Sequence, residues 1–212
     1  MSRFLVPLIL LAAVLGAALL IADYATRPQG DRVAVVGDSI TSIGEQQLKI
    51  SAGNDFVIES RSEFGATVEA QMPEATELAA TDPKQVIINL GTNDALLGVP
   101  LDQTMASLKT MVGLFPDAEC IHFVTVNEDL DQAGNRPTEE VAAFNEALLK
   151  MAAELDRGEV VRWDEIAHGS LRESRPQGLT TDGVHPDPAG QRELADAEVH
   201  ALQRCGRPWH YW

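Results

Sequence analysis

The sequence predicts an α/β fold in which a parallel sheet is covered by helices on both faces. Three observations carry this expectation. The apolar runs 33–36 (VAVV), 86–90 (VIINL) and 121–126 (IHFVTV) are short, rich in β-branched residues and do not alternate with polar positions, as strands buried on both faces require. Segments of helical periodicity separate these runs. The two kinds of segment then alternate along the chain, which is the pattern of strand–helix–strand units.

Taken in order, residues 4–22 form an uncharged run (FLVPLILLAAVLGAALLIA) flanked by Arg3 and Asp23. Its length suits a hydrocarbon core, which takes roughly 17 to 25 helical residues, and exceeds the roughly 7 to 15 of a signal-peptide apolar region. Residues 1–25 are therefore expected to be an N-terminal transmembrane signal-anchor or, if cleaved, a signal peptide. A basic residue before the run and an acid after it place the remainder outside the cytoplasm. The expected location is the cell membrane, single-pass with an extracytoplasmic domain, or secreted after cleavage. Residues 26–31 read as a tether containing Pro28 and Gly30, and residues 32–212 as one domain.

Within that domain the strand at 33–36 is followed by a helix over 40–51. The next strand, 56–60 (FVIES), is less apolar and is expected near a sheet edge, and a helix follows over 68–80. The strand at 86–90 leads to a helix over 101–115, and the strand at 121–126 to a helix over 138–155. In this last helix Val141, Phe144, Leu148, Met151 and Leu155 recur at three- or four-residue steps, with Pro137 just before the first turn. A fifth strand, 159–163 (EVVRW), again suits an edge. The final helix starts at Asp187-Pro188, a side-chain acceptor followed by a residue suited to the first helical position, and runs to about Arg204.

Composition narrows the function. The chain has 212 residues, with 16 Lys and Arg against 32 Asp and Glu, a formal net charge of −16. Such a surface gains nothing from the counterion release that drives binding to polyphosphate backbones, so no nucleic-acid partner is expected. Hydrophobic residues at 45% exclude a disordered chain. The two cysteines, Cys120 and Cys205, are too few for a disulfide framework or an all-cysteine metal site.

In a doubly wound sheet, ligands bind beyond the carboxyl ends of the strands. There the sequence places Gly37-Asp38-Ser39 after the first strand, Gly65 after the second and Gly91-Thr92-Asn93-Asp94 after the third. Asp182-Gly183-Val184-His185 follows the fifth. Ser39 opens a helix, where the dipole and unpaired N–H groups favour a developing anion. His185 is placed to take the serine proton, with Asp182 three residues earlier orienting the imidazole. The backbone N–H groups of Ser39 and Gly65 and the side-chain amide of Asn93 then form the oxyanion hole. Taken singly, each motif has a plain structural explanation: Gly-Asp-Ser caps a helix, Gly-Thr-Asn-Asp and Asp-Gly are turns. Their conjunction at one sheet edge, each supplying a different part of an acyl-transfer site, favours catalysis.

These four blocks, VVGDSI, EFGAT, LGTND and DGVHP, resemble those of the SGNH hydrolase superfamily, the GDSL-type esterases and lipases. The resemblance spans about residues 33–190 and departs from the family's first block only in GDSI for GDSL. It implies a flavodoxin-like three-layer α/β/α sandwich, with Ser39 as nucleophile, His185 as base, Asp182 as its orienting acid, and neither metal nor organic cofactor. The function expected is an extracytoplasmic serine ester hydrolase acting through an acyl-enzyme on acyl or acetyl esters of small molecules or envelope carbohydrates, as a monomer. Two alternatives stay open: an acyltransferase using the same acyl-enzyme, and a non-catalytic binding module on the same fold. The absence of G-x-G-x-x-G, of a P-loop lysine and of G-x-S-x-G argues against dinucleotide, phosphate and α/β-hydrolase sites.

Other residues have lesser expected roles. His122 sits in an apolar strand and reads as a core histidine, while His168, His200 and His210 lack metal-ligand spacing. Asp94 is expected to fix its own loop by bonding to backbone. Trp163 either lines the pocket or packs in the core. The start of the fourth strand and the end of the last helix meet at the edge opposite the site, so Cys120 and Cys205 either pair or remain two thiols. The tail 208–212 (PWHYW) is read as an interfacial aromatic patch or as cover for the fold. The loops 96–100, 127–136 and 168–179 are expected to wall the pocket.

Overall fold

The computed structural model describes residues 30–172 and 176–206; the expected membrane segment, most of the tether and the aromatic tail lie outside the described residues. Five strands form one sheet: β1 (Asp31–Gly37), β2 (Phe56–Ser62), β3 (Gln85–Asn89), β4 (Cys120–Val124) and β5 (Gly158–Val161). Seven described helices connect and follow them: α1 (Ser39–Ala52), α2 (Met72–Ala79), α3 (Thr92–Leu97), α4 (Leu101–Gly113), α5 (Thr138–Glu154), α6 (Trp163–Gly169) and α7 (Pro188–Arg204).

All strand pairs are parallel, in the order β2-β1-β3-β4-β5. This is the flavodoxin-like order, and it puts the topological switch point between β1 and β3. The alternation of side chains along each strand divides the core in two. Ala34, Val36, Val86, Ile88, Ile121 and Phe123 pack toward α2, α4 and α5. Val33, Val35, Ile87 and Val124 pack toward α1, α6 and α7. Residues 33–36 have no exposed surface, so the unbroken apolar run reflects two buried faces. The less apolar strands, β2 and β5, take the two edges.

Three boundaries differ from expectation for local reasons. The fifth strand ends at Val161, and Trp163 opens α6 instead of closing a strand; its ring is 1% exposed and belongs to the α1–α6–α7 core, so it packs. The helix expected over 68–80 starts only at Met72, because 67–71 forms turns in which Gln71 N–H bonds to Thr67 O. Residues 92–97, expected as a turn and loop, form the short helix α3, closed by Gly98 in the left-handed region. The last helix matches: Asp187 accepts from the N–H groups of Ala189 and Gly190, and Pro188 takes the first position.

Cys120, at the entry of β4, and Cys205, just after α7, are disulfide-bonded with Cα atoms 5.9 Å apart. The bond ties the last helix to the sheet at the edge opposite the carboxyl ends of the strands.

Candidate active site

The turn Gly37-Asp38-Ser39 joins β1 directly to α1. Asp38 is fully buried, and its Oδ1 accepts from the Ile40 N–H at 2.9 Å, capping the helix and leaving Ser39 in the first turn. At that position the Ser39 N–H has no intrahelical acceptor. Gly37 admits no side chain, since a Cβ there would lie 2.0 Å from Thr41 Oγ1.

His185 reaches this turn from a separate loop. Its Nε2 lies 2.9 Å from Ser39 Oγ, and its Nδ1 lies 2.7 Å from Asp182 Oδ2. Asp182 Oδ1 also accepts from the backbone N–H groups of Val184 and His185, at 3.1 and 2.8 Å, so the carboxylate organises the turn that presents the ring. Partial burial pushes the Asp182 carboxyl up, but the His185 N–H, its ring and the Val184 N–H outweigh this and hold it below its ordinary value. The structure therefore brings Ser39, His185 and Asp182 together as one hydrogen-bonded chain.

Asn93, in the first turn of α3, is pointed back at the nucleophile turn. Its Nδ2 donates to Asp38 Oδ2 at 3.0 Å and to Ala66 O at 3.1 Å, bridging the first block to the second. Gly65, beside Ala66, has φ +77° and open space where a Cβ would stand, leaving its backbone accessible. Behind this bridge, Asp94 Oδ2 accepts from the Val68 N–H and its Oδ1 from Thr104, both at 3.1 Å, which fixes the loop through backbone as expected. Gly91 enables the sharp entry into α3: φ is +114°, and a Cβ would lie 2.4 Å from Phe144 Cζ. Burial raises the carboxyls of Asp38, to about 7, and of Asp94.

Sequence reasoning missed the second role of Asp38, the anchoring of Asn93. It also missed Asn145, whose amide bonds both the N–H and the O of Val126 and holds the loop leaving β4. Of the remaining histidines, His122 is buried with Nε2 2.8 Å from Gln85 Oε1, and burial lowers its pKa to about 4, so it is a neutral core residue. His168 is exposed and pairs with Asp129, and His200 is exposed; His210 lies outside the described residues. Among the described residues, no three His, Cys, Asp or Glu side chains converge to hold a metal ion.

Two of the expected wall loops border a polar cavity of about 360 Å³, lined by Asn127, Glu128, Asp129, Gln177 and Gly183, the last lying within the Asp182–His185 turn. On the other side, next to Gly65 and on α3, Phe64 and Leu97 are 66% and 68% exposed.

The sequence and the fold have counterparts in known proteins. The model of the GDSL-like lipase/acylhydrolase family matches residues 35–193. A search of curated proteins found no match. Among solved structures, a member of the lipolytic G-D-S-L family from Veillonella parvula superposes with a TM-score of 0.69 at 20% identity, covering 82% of this chain and 98% of that one. The lipase/acylhydrolase from Enterococcus faecalis gives 0.69 at 18% identity, covering 85% and 100%. A catalytic mutant of an acetylxylan esterase from Geobacillus stearothermophilus gives 0.66 at 19% identity, covering 82% and 94%.

Proposed function

Since the chain belongs to the GDSL-like lipase/acylhydrolase family, we propose that it is an extracytoplasmic serine ester hydrolase that works through an acyl-enzyme on Ser39. The observation that carries the reading is the chain Ser39 Oγ, His185 Nε2, His185 Nδ1, Asp182 Oδ2, with links of 2.9 and 2.7 Å.

The steps follow from that geometry. Ser39 Oγ attacks the ester carbonyl while its proton passes to His185 Nε2, and the imidazolium is held by Asp182. The carbonyl oxygen becomes an oxyanion facing the Ser39 and Gly65 N–H groups and the Asn93 amide. Both hydrogens of that amide already have acceptors in Asp38 and Ala66 O, so Asn93 shares one of them with the oxyanion. His185 then protonates the departing alcohol, and a water, activated by the same imidazole, releases the acid and restores Ser39.

A small acyl group on a hydroxyl-rich alcohol is the substrate class we favour. The polar cavity beside the Asp182–His185 turn supplies amide and carboxylate groups suited to hydroxyls, whereas the apolar hollow beside Asn93, formed by Ala95, Val99, Leu101 and Phe144, is smaller, at about 260 Å³. Similarity to an acetylxylan esterase fold is consistent with this. The apolar run at 4–22 and the Cys120–Cys205 bond support placement outside the cytoplasm, on or beyond the membrane.

Hydrolysis of p-nitrophenyl esters from acetate to palmitate, by the purified protein beside its Ser39→Ala variant, tests the reading. Serine-dependent turnover with a short-chain optimum is the expected result. A folded protein with no turnover, and no fluorophosphonate label on Ser39, would leave the binding-module reading in its place.

A further inference from the structure

Directly behind the nucleophile turn, α1, β2, β3 and α7 enclose a small pocket lined by Thr41, Ser60, Asn89 and Glu198 among apolar neighbours that include Ile40 and Leu194. Thr41 Oγ1, Ser60 Oγ and Asn89 Nδ2 are each buried with no hydrogen-bond partner in the protein. Glu198 is 5% exposed, and among the described residues nothing pairs with its carboxyl. Four polar groups from four different elements therefore face one pocket without serving one another. Thr41 Oγ1, Ser60 Oγ and Asn89 Nδ2, being fully buried, have lost their bonds to solvent, and native interiors replace such bonds.

The chemistry of the four groups defines the missing partner. Asn89 Nδ2 only donates, the two hydroxyls both donate and accept, and a carboxyl accepts from or donates to its neighbour according to its protonation. A metal ion has nothing to offer the Asn89 N–H, and an anion, which can only accept, finds no cationic side chain among the residues that line the pocket. Burial raises the Glu198 carboxyl to about 8, so near neutral pH it carries no charge that calls for a cation. Room is also limiting: the centre of a water-sized sphere has about 10 Å³ available, roughly the requirement of one molecule.

We propose that this pocket binds a single internal water that hydrogen-bonds Glu198, Asn89, Thr41 and Ser60 and so fastens the nucleophile-bearing helix to the sheet. Thr41 lies two residues beyond Ser39 in α1, and Asn89 pairs in register with Gly37, immediately before Asp38. The bound molecule thus joins the helix that begins with Ser39 to the end of β3, which leads to Asn93. The site follows from packing and polarity alone and does not depend on the reaction proposed above.

Two measurements on the full-length protein decide it. A crystal structure that resolves ordered solvent should show one peak within about 2.6–3.2 Å of at least three of the four groups. In solution, the Asn89 side-chain amide protons should give cross-peaks to a long-lived water in nuclear Overhauser spectra. An empty pocket in the crystal, or no such cross-peaks, overturns the proposal. So does an anomalous peak in the pocket after thallium replaces sodium, which would make the occupant a monovalent cation.

Discussion

Asp38 Oδ2 accepts a 3.0 Å hydrogen bond from Asn93 Nδ2, joining residues 55 positions apart, while Asp38 Oδ1 caps the helix that begins with Ser39. One buried carboxyl therefore sets both the nucleophile turn and the amide that faces it. Asp38→Ala should cost about 0.5–2 kcal/mol of stability through the lost cap. It should also lower kcat by up to about 10²-fold, because the Asn93 amide loses its anchor. Denaturant unfolding beside ester kinetics checks both; unchanged kcat would confine Asp38 to capping.

Asn93 itself is the sharper test of the oxyanion hole. Asn93→Ala should reduce kcat by about 10² to 10³, with a much smaller change in KM, because its contribution is made in the transition state. Equal activity in this variant would remove Asn93 from the reacting centre and leave it as a bridge between Asp38 and Ala66.

Ser39 and His185 act on one proton, so their effects should not add. Ser39→Ala and His185→Ala are each expected to abolish nearly all turnover, and the double variant should lose little more. Losses that multiplied would mean that the 2.9 Å contact does not operate as a unit.

Much of this was legible in the sequence because the strands are buried on both faces and the site residues follow them directly. Residues 33–36 and 86–90 announce β1 and β3, and Ser39 and Asn93 come immediately after those strand ends. What was not legible is short or distant. Helices α3 and α6 span six and seven residues, too few for a periodicity to emerge, and each is fixed by its surroundings: Gly91 against Phe144, and Trp163 in the core. Nor does any local pattern reveal that Asp38 meets Asn93, or that Thr41, Ser60, Asn89 and Glu198 share a pocket. Those relations exist only once the sheet order β2-β1-β3 is in place.

The disulfide should contribute measurably to stability. It closes a sequence separation of 85, for which loop-closure entropy gives roughly 4–5 kcal/mol as an upper figure. Cys120→Ala/Cys205→Ala, or the reduced protein, should melt on the order of 10 °C lower. Mass spectrometry after alkylation without reductant should find both cysteines blocked; two modified thiols would contradict the bond.

Stability should also fall as pH rises from about 4 to 8. Burial lifts Asp38 from 3.8 to about 7 and Glu198 from 4.5 to about 8, so over that window the folded protein holds protons that the unfolded chain has released. Asp131, Asp164 and Asp182 act in the opposite sense, since their folded pKa values are lowered, but their stabilisation is lost only as pH falls below about 3.8. His122, lowered by burial from 6.5 to about 4, also opposes the fall between those two values and offsets part of it there, whereas Asp38 and Glu198 together shift further and Glu198 alone carries the fall toward pH 8. Among the described residues, the only other titratable side chain lining the Glu198 pocket is Glu45, whose carboxylate is paired with Lys49 at the surface. Glu198→Gln keeps the shape and hydrogen-bonding capacity of the neutral acid without its titration. Its melting temperature should therefore match the parent near pH 4, exceed it increasingly toward pH 8, and hold a constant margin above that. A margin that did not change with pH would show that Glu198 titrates at its ordinary value, and hence that its carboxyl is better solvated than the packing of α7 against α1 implies.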